Sequence, residues 1–387
     1  MNRCWHDERG IHLRRPERVA LVHDRLEQNG GAERVLRALH EIFPDAPIFT
    51  AMWNRQTVTS FGDCNVRTTW MQALPGINRE PRAYAGLYPL AFRQLKLSGY
   101  ELVISNTSSF AQGVRTDEGT LHLAYCHSPA NFIWRPEAYF GGQTGRSASA
   151  PLRAWLRMWD QSAAKKPDVY IATGQVVADR INAVYGRKAV VVPPPIHPDW
   201  FTSHERDDFF LVAGRLVRWK RMDLAIEASA RIGFPLVVAG TGRAAGSLKK
   251  MANGTTKFTG YIADPLELRS LYARARAVLV PSEEDFGLVS LEAQAAGTPV
   301  IAFDGGGARE TIVDGVTGIL FKPQTADGLM DAIRRFEDYS WDRDAIQANA
   351  LRFNGNWFAT QLLELIARQM EAREHQTVLV AGGRAGN

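Results

Sequence analysis

The stretch PSEEDFGLVSLEAQAAGTPVIAF, from Pro281 to Phe303, is the part of the sequence that decides the fold. The apolar run AVLV lies directly before it and PVIAF closes it, and both runs are typical of buried parallel strands. The middle of the stretch therefore lies where a strand ends and a helix begins. In an open α/β sheet, ligands bind at this edge.

Two glutamates, Glu284 and Glu292, lie eight residues apart in this stretch. We predict a helix that begins near Phe286, so that the backbone N–H groups of Phe286, Gly287 and Leu288 stay unpaired and form an anion site. The carboxylates would repel a phosphate, but they can accept hydrogen bonds from sugar hydroxyl groups. The segment therefore favours a nucleotide-sugar site, with a capped helix and solvated acids as the alternative.

Strands and helices alternate along the rest of the chain, which predicts parallel sheets with right-handed crossovers. The pattern restarts after Pro193–Pro195, and three prolines in a row indicate an extended connector between two domains. We expect a loose leader at 1–16, Rossmann-like domains at 17–192 and 193–355, a helix at 356–371 that packs back on the first domain, and a loose tail at 372–387.

The composition limits the classes of protein. The three cysteines show no pairing or zinc spacing, and no apolar run reaches the roughly 18 residues of a membrane span. Residues 1–192 carry 24 Lys and Arg against 17 Asp and Glu, which indicates either an anionic partner or unevenly solvated charge. No nucleic-acid module is visible. We therefore expect no nucleic-acid partner. The N-terminus lacks a secretory signal, so we expect a cytoplasmic protein.

Residues 69–100 combine aromatic and cationic side chains, among them Tyr88, Phe92 and Arg93. This combination suits a membrane interface and a lipid-phosphate acceptor. A half-buried amphipathic helix is the alternative. We therefore keep peripheral contact with an anionic membrane, at its inner face, as a hypothesis.

Further candidates follow predicted strands. Arg215 and Lys220 supply two cations near a strand end, which is suited to neutralising a diphosphate. Gly30 and Gly31 open a helix, either as a plain turn or as a close approach of backbone to ligand.

Polar residues end two other strands of the first half. His127 can donate to a sugar hydroxyl or can be a structural histidine. Asn106 and Ser108, within SNTSS, can line an acceptor side or cap a helix. In the second half, Tyr261 and Ile262 follow a short strand and can present a ring face and backbone groups to a nucleobase.

The spacing E-x7-E, followed by GTPVIA and GGARETIVDGVTGILF, resembles the retaining glycosyltransferases of family 4, which have the GT-B fold. The resemblance covers roughly residues 17–370 and includes bacterial O-antigen, capsular and exopolysaccharide mannosyltransferases. It implies two Rossmann-like domains that face a cleft. It also implies a nucleotide-sugar donor and an oligosaccharide or lipid-linked acceptor.

The resemblance also implies roles for the site residues. Arg215 and Lys220 hold the leaving diphosphate, Glu284 the hexose and Glu292 the ribose, and His127 orients the sugar. The Gly-rich loop approaches the donor, and the turn at 260–262 reads the base mainly through its main chain.

The resemblance has two departures. The family usually has Lys-Gly where this chain has Lys220-Arg221, and the mannosyltransferases often have Arg-Tyr where Asn131 and Phe132 stand. From HDRLEQNGGAERV and YCHSP, the favoured donor is GDP-mannose, with a UDP-hexose as the alternative. A nucleotide-sugar epimerase and a non-catalytic sugar-nucleotide sensor are the alternatives from other classes.

Metal and cofactor are not expected. The sequence Asp342-Arg343-Asp344 matches D-x-D, but its surroundings favour a helix N-terminus. The histidines show no metal-ligand spacing. Because Arg215, Lys220 and a helix N-terminus already supply positive potential, we expect that the reaction requires no metal.

Overall fold

The computed structural model describes residues 15–140, 150–201 and 205–384. Its strands form two main parallel sheets, one in each half of the chain. The strands of the first half are β1 (Val19–His23), β2 (Ile48–Thr50), β3 (Val66–Thr68), β4 (Lys96–Leu97), β5 (Leu102–Thr107), β6 (Arg115–Thr116), β7 (Leu121–Cys126), β8 (Val169–Ala172) and β9 (Ala189–Val191). Those of the second half are β10 (Phe210–Ala213), β11 (Leu236–Ala239), β12 (Thr256–Gly260), β13 (Ala277–Val280), β14 (Val300–Phe303) and β15 (Gly318–Phe321).

Helices connect these strands. In the first half they are α1 (Gly31–Ile42), α2 (Tyr88–Gln94), α3 (Asn131–Trp134), α4 (Pro136–Phe140), α5 (Ala150–Ala163) and α6 (Gln175–Tyr185). They continue with α7 (Met222–Ile232), α8 (Ala245–Met251), α9 (Pro265–Arg274), α10 (Leu288–Ala295), α11 (Ala308–Thr311), α12 (Ala326–Glu337), α13 (Arg343–Leu351) and α14 (Gly355–Arg384). Short 3₁₀ helices are Trp70–Ala73, Pro81–Tyr84, Ala111–Gly113, Pro198–Trp200 and Arg218–Lys220.

The order of the strands confirms the predicted fold class. The first sheet has the order β3-β2-β1-β5-β7-β8-β9 and the second β12-β11-β10-β13-β14-β15, with β4 and β6 paired separately. In each sheet the chain moves outwards from a central strand in both directions, so the order reverses in the middle. Ligands bind at such a switch point, outside the carboxyl ends of the strands.

The register places three polar strand ends side by side in the first sheet. His23 at the end of β1 pairs with Asn106 on β5, and Asn106 pairs with Tyr125 on β7. His127 follows β7 directly. Because parallel strands end at the same edge, these side chains share one end of the sheet.

The C-terminal helix packs on the first half of the chain. Phe358, Leu362 and Ile366 of α14 are buried in the same core as Leu21 and Ile104 of the first sheet. The helix continues to Arg384, so residues 372–384, which we expected to be loose, are helical. The expected leader at 1–16 lies, apart from its last two residues, outside the described part of the chain. Among the described residues, no helix is long and apolar enough to cross a membrane.

Candidate functional site

A cavity of about 750 Å³ lies between the two domains and is lined by residues of both. Its volume is in the range of small-molecule sites, roughly 300–1,000 Å³. The charged side chains in its lining are Arg25, Arg82, Arg135, Arg215, Arg218 and Arg221, against Glu137, Asp223, Glu283 and Asp285. This excess of guanidinium groups suits a ligand that carries phosphates, because charge-assisted hydrogen bonds to phosphate are strong.

The pair Lys220 and Glu284 lines a small recess next to this cavity. Lys220 Nζ lies 2.7 Å from both carboxylate oxygens of Glu284, and Ser282 Oγ donates a further short hydrogen bond to Glu284. Only 14% and 12% of the two side chains are exposed. The recess beside them measures about 10 Å³, so it has no room for a sugar ring while the ion pair is closed. Met222 lines both the recess and the large cavity.

Arg221 stands where the family usually has glycine, and its backbone adopts a conformation that glycine favours. Its φ and ψ of 48° and 34° are left-handed, a conformation that favours glycine. Its guanidinium also pairs with Asp223 at 3.2 Å. The turn that the family makes with Lys-Gly therefore forms here with Lys220-Arg221.

Arg215 lies in the cavity lining at the end of β10. The backbone before it approaches a neighbouring strand end so closely that a Cβ on Gly240 would lie 1.9 Å from the Gly214 carbonyl oxygen. Glycine is therefore required there. No carboxylate partner of Arg215 occurs among the described residues, which leaves its guanidinium available to an anionic ligand.

Glu292 is buried and bound by two side chains. Tyr272 donates its hydroxyl to Glu292 Oε2 at 3.2 Å, and burial raises the pKa of Tyr272, so the hydroxyl stays protonated. Arg34 of the first domain forms an ion pair with the other carboxylate oxygen. Glu284 and Glu292, the two carboxylates predicted to bind the nucleotide sugar, are thus neutralised by side chains of the protein. Arg34 was not among the predicted site residues, although it lies in the GGAER stretch beside the predicted Gly-rich loop.

The Gly-rich loop faces a second cavity. Gly30, Arg34 and Leu288 line a space of about 440 Å³ that is distinct from the cavity with His127 and Arg215. The N–H of Gly30 donates to Glu33 Oε2 at 2.9 Å. A Cβ on Gly31 would lie 2.8 Å from Leu288 Cδ1 of the second domain. Because Gly31 has no side chain, the two domains can approach each other closely here.

The helix within the stretch Pro281–Phe303 begins two residues later than predicted, at Leu288. Gly287 precedes it in a left-handed conformation, with φ of 100°. Phe286 is 5% exposed and packs on Phe353 in the core. Its side chain is therefore structural, while the start of α10 lies beside the recess of Glu284 through Val289.

His127 and Ser108 line the large cavity, whereas Asn106 does not. Asn106 is completely buried, which contradicts its expected place on the acceptor side. Its amide instead binds inside the first domain, with Oδ1 2.6 Å from His127 Nε2. The buried carboxylate of Asp24 accepts from the N–H of Ser108 at 2.7 Å and so fixes the loop that carries it.

Tyr261 and Ile262 lie apart from the other candidates. Tyr261 is 66% exposed, and Ile262 packs against the core of the second domain. Neither borders the two cavities described above. A base stacked on Tyr261 would therefore extend beyond the cavity.

Acidic residues on either side of Glu284 bind the first domain. Asp285 forms an ion pair with Arg180 and accepts from Asn131 at 3.2 Å. Glu283 lies 3.1 Å from Arg180 and 3.3 Å from Arg135. No role was predicted for Glu283 and Asp285, although the sequence shows a run of three acids from Glu283 to Asp285.

A further contact between the domains involves a helix N-terminus. The carboxylate of Glu310 accepts from the N–H of Gln175 at 2.7 Å and of Val176 at 3.1 Å. Both N–H groups lie in the first turn of α6 and have no acceptor within the helix. A Cβ on Gly174 would lie 2.8 Å from this carboxylate. Glu310 therefore caps a helix of the opposite domain.

Asp342 is a helix cap. Its carboxylate accepts from the N–H of Asp344 at 2.9 Å at the start of α13. No group of three or more His, Cys, Asp or Glu side chains with the geometry of a metal site occurs within residues 15–140, 150–201 and 205–384.

The aromatic segment at 69–100 divides between core and surface. Tyr88 and Phe92 are 1% and 0% exposed, whereas Trp70 and Leu90 are 41% and 46% exposed. Tyr88 and Phe92 pack in the core because α2 turns them inwards. They are therefore unavailable to a membrane.

The overall architecture resembles solved GT-B glycosyltransferases. Anabaena HepE, crystallised with UDP-glucose, aligns with a TM-score of 0.69 at 18% identity, covering 91% of this chain and all of that one. The fold is therefore GT-B, with two Rossmann-like domains.

Residues 198–353 match the family model described as "Glycosyl transferases group 1". A D-inositol 3-phosphate glycosyltransferase of Actinosynnema mirum is 31% identical over 53% of this chain, which spans 57% of that relative's length. A glycogen synthase of Mycobacterium tuberculosis is 38% identical over 33% of each chain. The matched segment contains Arg215, Lys220, Glu284 and Glu292.

Proposed function

We propose that the chain is a retaining glycosyltransferase that moves a hexose from a nucleotide sugar onto a lipid-linked or polysaccharide acceptor in cell-surface glycan biosynthesis. The observation that carries this proposal is the Lys220–Glu284 pair, whose recess shares Met222 with a cavity lined with guanidinium groups, among them that of Arg215. The match of residues 198–353 to group 1 glycosyltransferases supports it.

The proposed reaction takes place on one face of the sugar. The bond between the anomeric carbon and the diphosphate oxygen breaks while Arg215 and Lys220 neutralise the leaving group. The acceptor oxygen forms its bond to the anomeric carbon on the same face, and its proton passes to the leaving phosphate. Glu284 holds the hexose and Glu292 the ribose, so donor binding replaces the two internal ion pairs with hydrogen bonds to sugar hydroxyls.

GDP-mannose is the favoured donor, supported by HDRLEQNGGAERV and YCHSP in the first domain. A UDP-hexose is the second candidate, because HepE was crystallised with UDP-glucose. A panel of GDP-mannose, UDP-glucose, UDP-GlcNAc and UDP-galactose, measured by calorimetry with and without EDTA, separates the two. Selective binding of GDP-mannose that survives EDTA is the expected result, and selective binding of a UDP-sugar refutes the mannose assignment.

Turnover distinguishes this proposal from the other classes. With donor and polyprenyl-linked oligosaccharide, we expect nucleoside diphosphate release that depends on the acceptor. Isomerisation of the donor without acceptor would indicate an epimerase. Donor binding without any turnover, and unaffected by Glu284→Gln, would indicate a sensor.

We further propose that the acceptor is reached at an anionic membrane surface. Leu152, Trp155 and Met158 recur at intervals of three along α5 and are 42%, 42% and 67% exposed, and Leu152 lies against Gly86 beside α2. Each Lys or Arg near an anionic bilayer strengthens binding to it by roughly 1 kcal/mol. The first half of the chain carries an excess of such cations. Vesicles with anionic lipid should retain the protein, and Met158→Glu should weaken retention. Equal retention by neutral vesicles would contradict the electrostatic part.

A further inference from the structure

The buried amide of Asn106 connects the Gly-rich loop to the cavity histidine. Asn106 Nδ2 lies 2.8 Å from the carbonyl oxygen of Ala32, in the first turn of α1. Its Oδ1 lies 2.6 Å from His127 Nε2. These contacts occupy both ends of a side chain that has no exposure to solvent.

The contact with Ala32 fixes which end of the amide faces the histidine. A backbone carbonyl only accepts hydrogen bonds, so the amide nitrogen of Asn106 must face Ala32. The amide oxygen must then face His127. Because that oxygen also only accepts, Nε2 of His127 must carry a proton.

The other ring nitrogen of His127 has the opposite character. Burial, with a contribution from His23, lowers the pKa of His127 to about 3, so the imidazole is neutral at physiological pH. A neutral imidazole carries one proton. Since Nε2 holds it, Nδ1 is an acceptor, and no partner of Nδ1 occurs among the described residues.

We propose that Asn106 is a positioning residue that holds His127 in the Nε2–H tautomer, so that Nδ1 accepts a hydrogen bond from a hydroxyl of the bound sugar. This inference rests on the proposed function for the identity of the ligand. It reverses the role expected from the sequence, in which His127 donates. A sugar that lacks the donating hydroxyl would leave Nδ1 unpaired and would bind more weakly.

The tautomer can be measured without any turnover. In protein with ¹⁵N-labelled histidine, long-range ¹H–¹⁵N correlation distinguishes protonated from unprotonated ring nitrogens, and loss of signals in His127→Gln assigns them. We expect protonated Nε2 and unprotonated Nδ1 at neutral pH. Protonated Nδ1 in the wild-type protein overturns the proposal, whether or not any donor is turned over.

Two substitutions separate positioning from general stability. Asn106→Leu removes the acceptor and should give a mixture of tautomers, whereas Asn106→Gln keeps an amide with both a donor and an acceptor and should keep Nε2 protonated. Ser105→Ala is the matched control, because Ser105 Oγ binds a different buried histidine, His122 Nε2, at 2.8 Å. It should leave the signals of His127 unchanged. An unchanged tautomer in folded Asn106→Leu overturns the proposal.

Kinetics provide the second readout. With the donor selected by the panel, Asn106→Leu should lower kcat/KM about tenfold, and Asn106→Gln should recover part of the loss. In a background of His127→Ala, Asn106→Leu should cause no further loss, because both changes remove one interaction. A further tenfold loss in that background would show that Asn106 acts independently of His127 and would overturn the proposal.

Discussion

The first two amides of α6 test directly whether the domains meet in solution as described. They have no acceptor within the helix, so the protection of Gln175 and Val176 against hydrogen exchange depends on the carboxylate of Glu310. We expect Glu310→Ala to accelerate exchange at these two amides while the interior of the helix, including Ile181, keeps its protection.

The expected magnitude follows from the capping geometry. A side chain that caps a helix N-terminus contributes about 0.5–2 kcal/mol, which corresponds to roughly 2- to 30-fold faster exchange once the cap is lost. Gly174→Ala should act similarly, because the added Cβ would lie 2.8 Å from the Glu310 carboxylate. Gly174 has φ of −168°, an extended conformation that alanine also adopts, so the effect acts on the carboxylate and not on backbone strain.

Exchange measured by mass spectrometry on peptides over 174–185 provides the assay. In the double variant, Gly174→Ala should add little to the effect of Glu310→Ala, since the displaced carboxylate is already absent. Glu267→Ala, which removes an exposed acid from the first turn of α9, is the matched control and should leave these amides unchanged. Wild-type exchange rates in Glu310→Ala would refute the contact.

Three further predictions concern the site and its stability. Glu284→Gln should lower kcat roughly 10²–10³-fold with the fold intact; an unchanged kcat, measured by release of nucleoside diphosphate, would contradict its role. Tyr272→Phe removes a hydrogen bond to Glu292 and should raise the Kd of the nucleotide sugar several-fold in calorimetry. Tyr339→Phe, at an exposed tyrosine, should leave this Kd unchanged. Burial lowers the pKa of His122 to about 3, below the roughly 6.5 of an unfolded chain. The unfolded chain therefore binds the proton first, and stability falls as the pH drops from about 6.5 towards 3, by up to about 1.4 kcal/mol per pH unit. Urea unfolding should show a weaker fall in His122→Asn, and an equal fall would contradict the assignment.

The fold class could be predicted because the relevant signals are local. Apolar runs and the glycines that close helices recur at short intervals, and each indicates a strand or a helix end without knowledge of the rest of the chain. The pair Glu284 and Glu292 was also visible, since both residues belong to one strand–helix unit.

The charge partners of those residues could not be predicted from local signals. Arg34 reaches Glu292 from another domain, and Glu310 lies 135 residues from the amide that it binds. Spacing within a helix or strand carries no information about such contacts. Asn106 illustrates the same limit, because a polar residue at a strand end can face either the cavity or the core, and here it faces the core.

The prediction that residues 372–384 are loose was wrong for a related reason. Residues 372–384 lack a clear apolar period, yet they continue α14. The first part of that helix is anchored by Phe358 and Leu362 in the core of the first domain. Helix propagation is favourable once a nucleus exists, so the ordered turns extend into a segment whose own sequence is a weak signal.

The contacts across the cleft also determine which domains can be recombined. A chimera joined at Pro193–Pro195 would take Gly174 and Arg180 from one parent and Glu310 and Asp285 from the other. A parent with a side chain at position 174 would collide with Glu310, and one without the cation would leave Asp285 unpaired. Domain exchange to alter donor or acceptor choice should therefore transfer these positions as matched pairs. Asp285 and Glu310 lie within the motifs of the second domain, but their partners Arg180 and Gly174 lie outside the motifs of the first.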